Sequence, residues 1–218
     1  MAGQGAPSGV RAEFASLRPV GGFQFLMADP PWRYELYNEE TGAAKAAQGQ
    51  YDCMDLNAIK RLPVEMLAAE NCVLWLWCTH PMLPQAIEVC RSWGFEYKTS
   101  GVWSKRNAET GKLAFGTGYL LRCASEPFLI ATRGKPKTAR NVRTVIEGPR
   151  REHSRKPEEA FQAAVQLMPK ARRIELFSRQ SREGWVTWGD EANKFDEIEE
   201  IEGRPVTTAA SRCHVTAT

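Results

Sequence analysis

Phe23-Gln24-Phe25-Leu26-Met27-Ala28-Asp29-Pro30-Pro31-Trp32 is the stretch on which the reading of this chain turns. Its first six residues are a short apolar run, the pattern of a buried strand. An acid, two prolines and an aromatic follow directly. The carboxylate accepts hydrogen bonds. A proline fixes φ and lacks an N–H, so its carbonyl can face a ligand instead of a ladder partner. The tryptophan offers a flat face for stacking. Together they suit the exocyclic amine of a planar base. That amine's lone pair is delocalised into the ring, so the nitrogen is a poor nucleophile. Two acceptors on its two N–H groups would localise the lone pair and aim it at a methyl donor. The competing reading is a proline turn after a strand, with Trp32 in the core. From average composition this tetrapeptide arises by chance in well under about one chain in a hundred, and later segments fit the chemical reading.

Downstream, Arg33 to Gln50 is rich in small and polar residues and reads as a long lid-like loop ending at Tyr51. Asp55 can cap a short helix from Leu56 to Arg61, broken by Pro63. Cys72 to Trp77 is apolar on both faces, as a central parallel strand should be. Pro81 opens a helix that Gly94 closes. Tyr97–Trp103 and Pro127–Ala131 read as strands flanking a Gly-rich loop, Asn107 to Gly118. A helix starts at Pro157, with Phe161, Ala164, Val165 and Met168 as one core-facing stripe. Arg173–Phe177 and Trp185–Trp188 are the last strands. This alternation predicts an α/β fold with a mainly parallel sheet.

With 218 residues, 43% hydrophobic and 25% charged, the chain has the make-up of one soluble domain with tails. No apolar run approaches a membrane span, and the first nine residues lack the basic start and apolar core of a signal peptide. The six cysteines show no CxxC spacing and read as free thiols in a reducing, cytoplasmic compartment. Cys78-Thr79-His80 lacks the partners of a metal site, so no metal is expected. The formal charge of +3 is unevenly spread. Asp196 to Glu202 carries five acids and no base, whereas Arg133 to Lys156 holds nine bases against Glu147 and Glu152. Clustered bases release counterions from phosphates, so this run, with Arg140 and Arg143 in it, is expected to hold a polyanion.

The order of these segments resembles the adenine-N6 methyltransferase family that includes the catalytic subunit of the messenger-RNA methyltransferase, and especially its compact bacterial and phage members. The markers are Asp29-Pro-Pro-Trp32, Val73-Leu-Trp-Leu-Trp77, Trp93-Gly-Phe95, Glu126-Pro-Phe-Leu-Ile130, Thr132-Arg-Gly-Lys-Pro136, His153-Ser-Arg-Lys-Pro157, Ile174-Glu-Leu-Phe-Ser-Arg179 and Trp185-Val-Thr-Trp-Gly189. The resemblance implies a Rossmann-like sheet of about seven strands with S-adenosylmethionine at the strand carboxyl ends. It also implies a permuted order, with the catalytic motif before the cofactor motif. Domain limits follow: a flexible lead-in over 1–20, the methyltransferase domain over 21–195, and an acidic segment with a flexible tail over 196–218.

By the same resemblance, Asp29, Pro30, Pro31 and Trp32 are catalytic, with Asp29 also near the cofactor. Phe177, Arg179, Gln180, Ser181 and Arg182 line the cofactor, although the loop after Arg179 is shorter than in the RNA enzyme. Asp190 and Glu191 face its ribose, a role that suits carboxylates. Lys156 reaches the active site, where its charge can meet the cofactor carboxylate or a substrate phosphate. Tyr51 and Glu126 line the acceptor-base pocket, and Trp77 lines it or belongs to the core. The implied reaction is methyl transfer from S-adenosylmethionine to the adenine N6 amine of nucleic acid, with DNA favoured over RNA. Cytosine-N4 methylation fits less well, because those enzymes usually begin the motif with Ser. A catalytically silent nucleic-acid-binding subunit is the rival from another class, but such members tend to lose the tetrapeptide that is intact here. A homodimer or a partner subunit is compatible with the chain.

Overall fold

The computed structural model describes residues 8–32, 53–118, 120–151 and 155–196. Seven strands form one sheet: β1 (Phe23–Ala28), β2 (Ala68–Trp77), β3 (Glu96–Arg106), β4 (Ser125–Arg133), β5 (Val145–Pro149), β6 (Arg173–Leu176) and β7 (Trp185–Trp188). Their spatial order is β5-β3-β4-β2-β1-β6-β7. All pairings are parallel except those of β4, which runs against both β2 and β3. The mainly parallel sheet expected from the alternation is present. β4 departs from it because no helix among the described residues separates it from β3, so the chain turns straight back.

Helices cover both faces. α1 (Ser8–Leu17), α2 (Leu56–Arg61) and α3 (Leu83–Ser92) lie on one side and α4 (Glu158–Leu167) on the other. Strand period sorts the core between them. Leu26 and Ala28 point towards the first group, and Phe25 and Met27 towards α4. Asp55 caps α2 as its sequence predicts, accepting from the Asn57 and Ala58 amides at 2.8 and 3.3 Å. Pro81 sits in a 3-10 turn, His80–Met82, and α3 begins only at Leu83. On α4, Ala160, Phe161 and Ala164 are buried, but Val165 of the expected stripe is exposed.

The flexible lead-in expected over 1–20 is corrected for the described residues, since Ser8–Leu17 is a helix. Its anchor is Phe14, fully buried and edge-on to Trp188 at 4.9 Å. Burying one such ring contributes about 1.5–3 kcal/mol. Trp188 Nε1 also donates to Glu13 at 2.9 Å. No described helix is long and apolar enough to cross a membrane.

The register places the site. Ala28 is level with Leu76 of β2 and Leu176 of β6, and Leu176 is level with Trp188 of β7. The carboxyl ends of four neighbouring parallel strands therefore share one edge, and Asp29, Trp77, Phe177 and Gly189 stand along it. β4 runs the other way, so its early residue Glu126 reaches the same edge, two positions before Phe128, the partner of Trp77.

Candidate active site

Asp29 leaves β1 with its amide still directed at the Leu176 carbonyl, 3.4 Å away. The next three residues form a tight turn. The Trp32 N–H donates to the Pro30 carbonyl at 2.8 Å, and the Met54 N–H to the Pro31 carbonyl at 2.9 Å. The Pro30 oxygen keeps one further lone pair for a ligand. Trp32 departs from the expected stacking face. It is buried, and its indole N–H donates to the Trp77 carbonyl at 3.0 Å, so it fixes the turn onto the end of β2.

Lys156 is the centre of the site. It is 7% exposed, with Nζ 2.5 Å from Asp29 Oδ2 and 2.9 Å from Glu126 Oε1. The Glu126 carboxylate also meets Lys105, at 2.7 Å through Oε2. Four charges thus alternate in sign from Asp29 to Lys105. Trp77 and Trp103 support the chain of charges, with Lys156 Nζ 5.5 Å from the Trp77 ring and Lys105 Nζ 4.9 Å from the Trp103 ring. Trp77, expected in the pocket or the core, is fully buried and serves as this floor. The Lys156 ammonium meets two carboxylates and carries three donors.

Burial raises the Asp29 carboxyl above its ordinary range; Lys156 opposes this and the Glu126 carboxylate adds to it. Burial would raise Glu126 as well, but Lys156 and Lys105 hold it at about 2. Burial would lower Lys156, yet the two carboxylates push it above its ordinary value, so it stays charged.

Beside this cluster a small cleft of about 20 Å³ is lined by Asp29, Lys156, Glu175, Phe177, Arg179 and Gln180 among others. The chain after β6 builds it. Phe177 adopts φ 62°, a left-handed conformation that is uncommon for a bulky residue and concentrates at functional turns. Gly189 makes this turn feasible, since a Cβ there would lie 3.0 Å from Phe177 Cα. Arg179 faces Glu191 at 3.6 Å, and Glu191 also meets Lys194 at 2.5 Å. Gln180 accepts from Arg155 at 2.6 Å. Arg182 pairs with Glu158 and lies 3.5 Å over the Phe161 ring. Ser181 turns away, with its amide on Asp196 Oδ1 at 2.6 Å. Asp190 is exposed just past β7.

The edge thus brings together Asp29, Glu126, Lys156, Phe177, Arg179, Gln180 and Arg182. It does not bring Arg140 and Arg143 there; both are exposed in the β4–β5 connection. Tyr51 lies outside the described residues. Sequence reasoning missed Lys105 and Glu175. Glu175 sits inside β6, where burial raises its carboxyl to about 7 and Ser178 Oγ donates to it at 2.9 Å. An acid between the apolar Ile174 and Leu176 was the available signal.

The MT-A70 family model matches residues 23–191. The type II methyltransferase M.MunI of Mycoplasma sp is 32% identical, over 77% of this chain and 76% of its own. The N(6)-adenosine-methyltransferase MT-A70-like protein of Arabidopsis thaliana is 30% identical over 80% of this chain and 24% of its own. The human N(6)-adenosine-methyltransferase catalytic subunit METTL3 is 28% identical over 79% of this chain and 28% of its own. Against those two the chain spans about a quarter of their length. With the model covering most of the sequence, the chain belongs to the MT-A70 family of methyltransferases.

Proposed function

We propose that this protein transfers a methyl group from S-adenosylmethionine to the exocyclic N6 amine of adenine in nucleic acid, with DNA the favoured polymer. The observation that carries the reading is the Asp29 carboxylate beside the β6 cleft, held by a buried lysine. When bound, S-adenosylmethionine supplies an electrophilic methyl group. Its ammonium, carboxylate and ribose diol call for an acid, a base and a second acid. Glu175, Arg179 and Asp190 offer that set around the cleft and beyond β7, so the residues fit the group. In this reading the cofactor loop follows β6 and the acceptor loop follows β1, which is the permuted order, within a catalytic domain over residues 21–195.

Lys156 engages Asp29 Oδ2, which leaves Oδ1 for one N–H of the amine. The Pro30 carbonyl takes the other with its remaining lone pair. Both acceptors are fixed before substrate arrives, so they add to the rate by orientation and by electrostatics in a dry site. The proton shed by the methylated nitrogen passes to Asp29 Oδ1, whose raised pKa favours accepting it. Glu126, held ionised, borders the base and keeps Lys156 in place. An adenine inside a duplex cannot reach this edge, so the base flips out or the strand is single.

DNA is favoured because the bacterial type II methyltransferase matches over most of both chains. RNA is the second reading, supported by the relatives named adenosine methyltransferases. Parallel incubations of DNA and RNA oligonucleotides with methyl-labelled S-adenosylmethionine separate them. Label in DNA alone supports the first reading, label in RNA alone the second, and label in neither removes both.

A further inference from the structure

The connection between β3 and β4 leaves the active-site edge and returns to it. It departs after Lys105 and Arg106 and rejoins the sheet at Ser125, next to Glu126. Three successive ion pairs lead from its root to Asp29: Lys105 with Glu126, Glu126 with Lys156, and Lys156 with Asp29. The connection carries an apolar patch that the fold does not bury. Phe115, Leu120 and Leu121 are 80%, 88% and 85% exposed, and Leu113, two residues before Phe115, is exposed as well. The other exposed large apolar side chains among the described residues are scattered along the chain. Single exposed residues need no explanation, but a gathered patch marks an interaction site.

Hydrogen bonds fix the shape of this connection. The Asn107 amide donates to the Lys112 carbonyl at 2.8 Å, and the Thr110 amide to Asn107 Oδ1 at 2.8 Å. The Ala114 amide donates to the Lys105 carbonyl at 2.8 Å, which holds Phe115 one residue from the root. The Gly116 amide donates to the Cys123 carbonyl at 2.9 Å, and the Cys123 amide to the Thr117 carbonyl at 3.2 Å. These two bonds close a tip that holds Leu120 and Leu121. A Cβ at Gly118 would collide with the Leu121 carbonyl oxygen, so the tip requires glycine there. A surface fixed in advance needs little ordering when it binds.

The charge around the patch selects its occupant. From Lys105 to Ser125 the chain has four bases, Lys105, Arg106, Lys112 and Arg122, against the one acid Glu109. Lys105 and Arg106 are paired with Glu126 and Glu147. Lys112 and Arg122 are exposed and form no ion pair among the described residues. The Arg122 guanidinium lies 5.6 Å over the Phe115 ring, so one cation sits on the patch itself. A second copy of this chain is a poor occupant. In a two-fold contact the same patch meets itself, which would set Lys112 and Arg122 against their own copies. An uncharged apolar partner would desolvate Arg122 without a counter-charge. Nucleic acid answers both features. Its phosphates pair the two bases, and its broad apolar surfaces are the faces of its own bases. Those faces are hidden in a stack and open only where a base has left it. An adenine drawn out of a duplex to Asp29 leaves such a gap, and apolar side chains that enter between base steps hold a duplex open. We infer that the β3–β4 connection is a wedge, in which Phe115, Leu120 and Leu121 fill the place of the extruded adenine while Lys112 and Arg122 hold the flanking phosphates. The inference rests on the nucleic-acid reading above and adds the surface that extrudes the base, with duplex as the form on which it acts.

Binding of the full chain to two labelled DNA duplexes, read by fluorescence anisotropy, provides the test. One duplex is intact, and in the other an abasic residue replaces one adenine. The parent should prefer the abasic duplex at least about tenfold, since the gap is already open and the wedge stacks in it without extruding a base. The triple variant Phe115→Ser/Leu120→Ser/Leu121→Ser alters only exposed side chains. It should bind both duplexes alike. The double variant Lys112→Gln/Arg122→Gln should keep the preference and reduce the log–log salt slope of duplex binding by about 0.9 for each lost phosphate contact. Methylation is read separately on one unmethylated plasmid, as closed duplex and as heat-denatured strands. The triple variant should methylate the duplex at least about tenfold more slowly than the parent, and the denatured strands at the parental rate. The proposal is overturned if the triple variant keeps the preference for the abasic duplex, or if it loses methylation equally on both plasmid forms. It is also overturned if the parent sediments as a dimer that the triple variant breaks into monomers, since the patch would then join two copies. Methylation of denatured strands alone overturns the wedge and leaves the methyl-transfer reading standing. An abasic preference that the triple variant loses, with no methylation of either plasmid form, supports the wedge and removes that reading.

Discussion

Replacing Lys156 with Met keeps the aliphatic stem over Trp77 and removes only the ammonium. Two carboxylates then face each other at the sheet edge with side chains 21% and 16% exposed, Asp29 and Glu126 respectively. Holding Glu126 at about 2 instead of its ordinary 4.5 corresponds to about 3 kcal/mol, at 1.36 kcal/mol for each tenfold change. Lys105 supplies part of that. Asp29 loses the cation 2.5 Å away as well. Breaking a buried ion pair from one side costs about 3–5 kcal/mol, so Lys156→Met should lose about 3–4 kcal/mol at pH 8. The pH dependence identifies the cause. In the parent, the folded pKa of Glu126 is depressed, so its contribution is full above 4.5 and is lost as pH falls through about 2. In the variant both carboxyls titrate higher, and protonation removes the repulsion between them. The gap between variant and parent should therefore narrow steadily as pH drops from 8 to 4. Urea denaturation at intervals across this range measures it, and adding Asp29→Asn to Lys156→Met should restore part of the stability at pH 8. A gap that stays constant from pH 8 to 4 would show that Lys156 acts through packing on Trp77, not through charge.

Three further outcomes follow from the same geometry. Glu175 titrates at about 7 when folded, above its ordinary 4.5, so its contribution to stability is complete below 4.5 and is lost as pH rises through 7. Glu175→Gln should flatten denaturation midpoints between pH 5 and 8, removing a slope of up to about 3 kcal/mol; parallel slopes in both proteins would assign the titration elsewhere. Arg179→Ala should raise the dissociation constant for S-adenosylmethionine about ten- to a hundredfold by calorimetry, and an unchanged value would misplace the cofactor loop. Replacing Arg140 and Arg143 with Gln should reduce the log–log salt slope of oligonucleotide binding by about 0.7–0.9 per lost phosphate contact, and an unaltered slope would route the strand elsewhere.

The parts of the molecule legible in the sequence are those where a local pattern and a tertiary role coincide. The apolar run before Asp29 is a buried strand by composition and by position between β2 and β6. Asp55 caps α2 through contacts two and three residues away. β5 was not legible, because Val145-Ile-Glu-Gly-Pro149 is short and carries two residues that weaken strands. Its place is secured from a distance, by pairing with β3 and by Trp103 Nε1 donating to the Gly148 carbonyl at 3.0 Å. α1 has no strong amphipathic pattern and depends on Phe14 meeting Trp188, 174 positions further along the chain. The active site divides in the same way. Asp29 and Lys156 were each marked by a local motif, but their contact spans 127 residues and appears only when β1 and the start of α4 reach one edge. Lys105, at the end of a strand, reads as a surface lysine until Glu126 is placed beside it.

The most direct measurement is single-turnover methylation of an adenine-containing oligonucleotide at saturating S-adenosylmethionine, by the parent and by Asp29→Asn, with the product nucleoside identified by mass spectrometry. The expected result is a methyl group on N6 of adenine from the parent. Asp29→Asn should give almost none while still binding the cofactor by calorimetry. A methyl group on a ring nitrogen or on another base, or an Asp29→Asn variant that turns over at the parental rate, would contradict the assignment of Asp29 as the acceptor of the adenine amine.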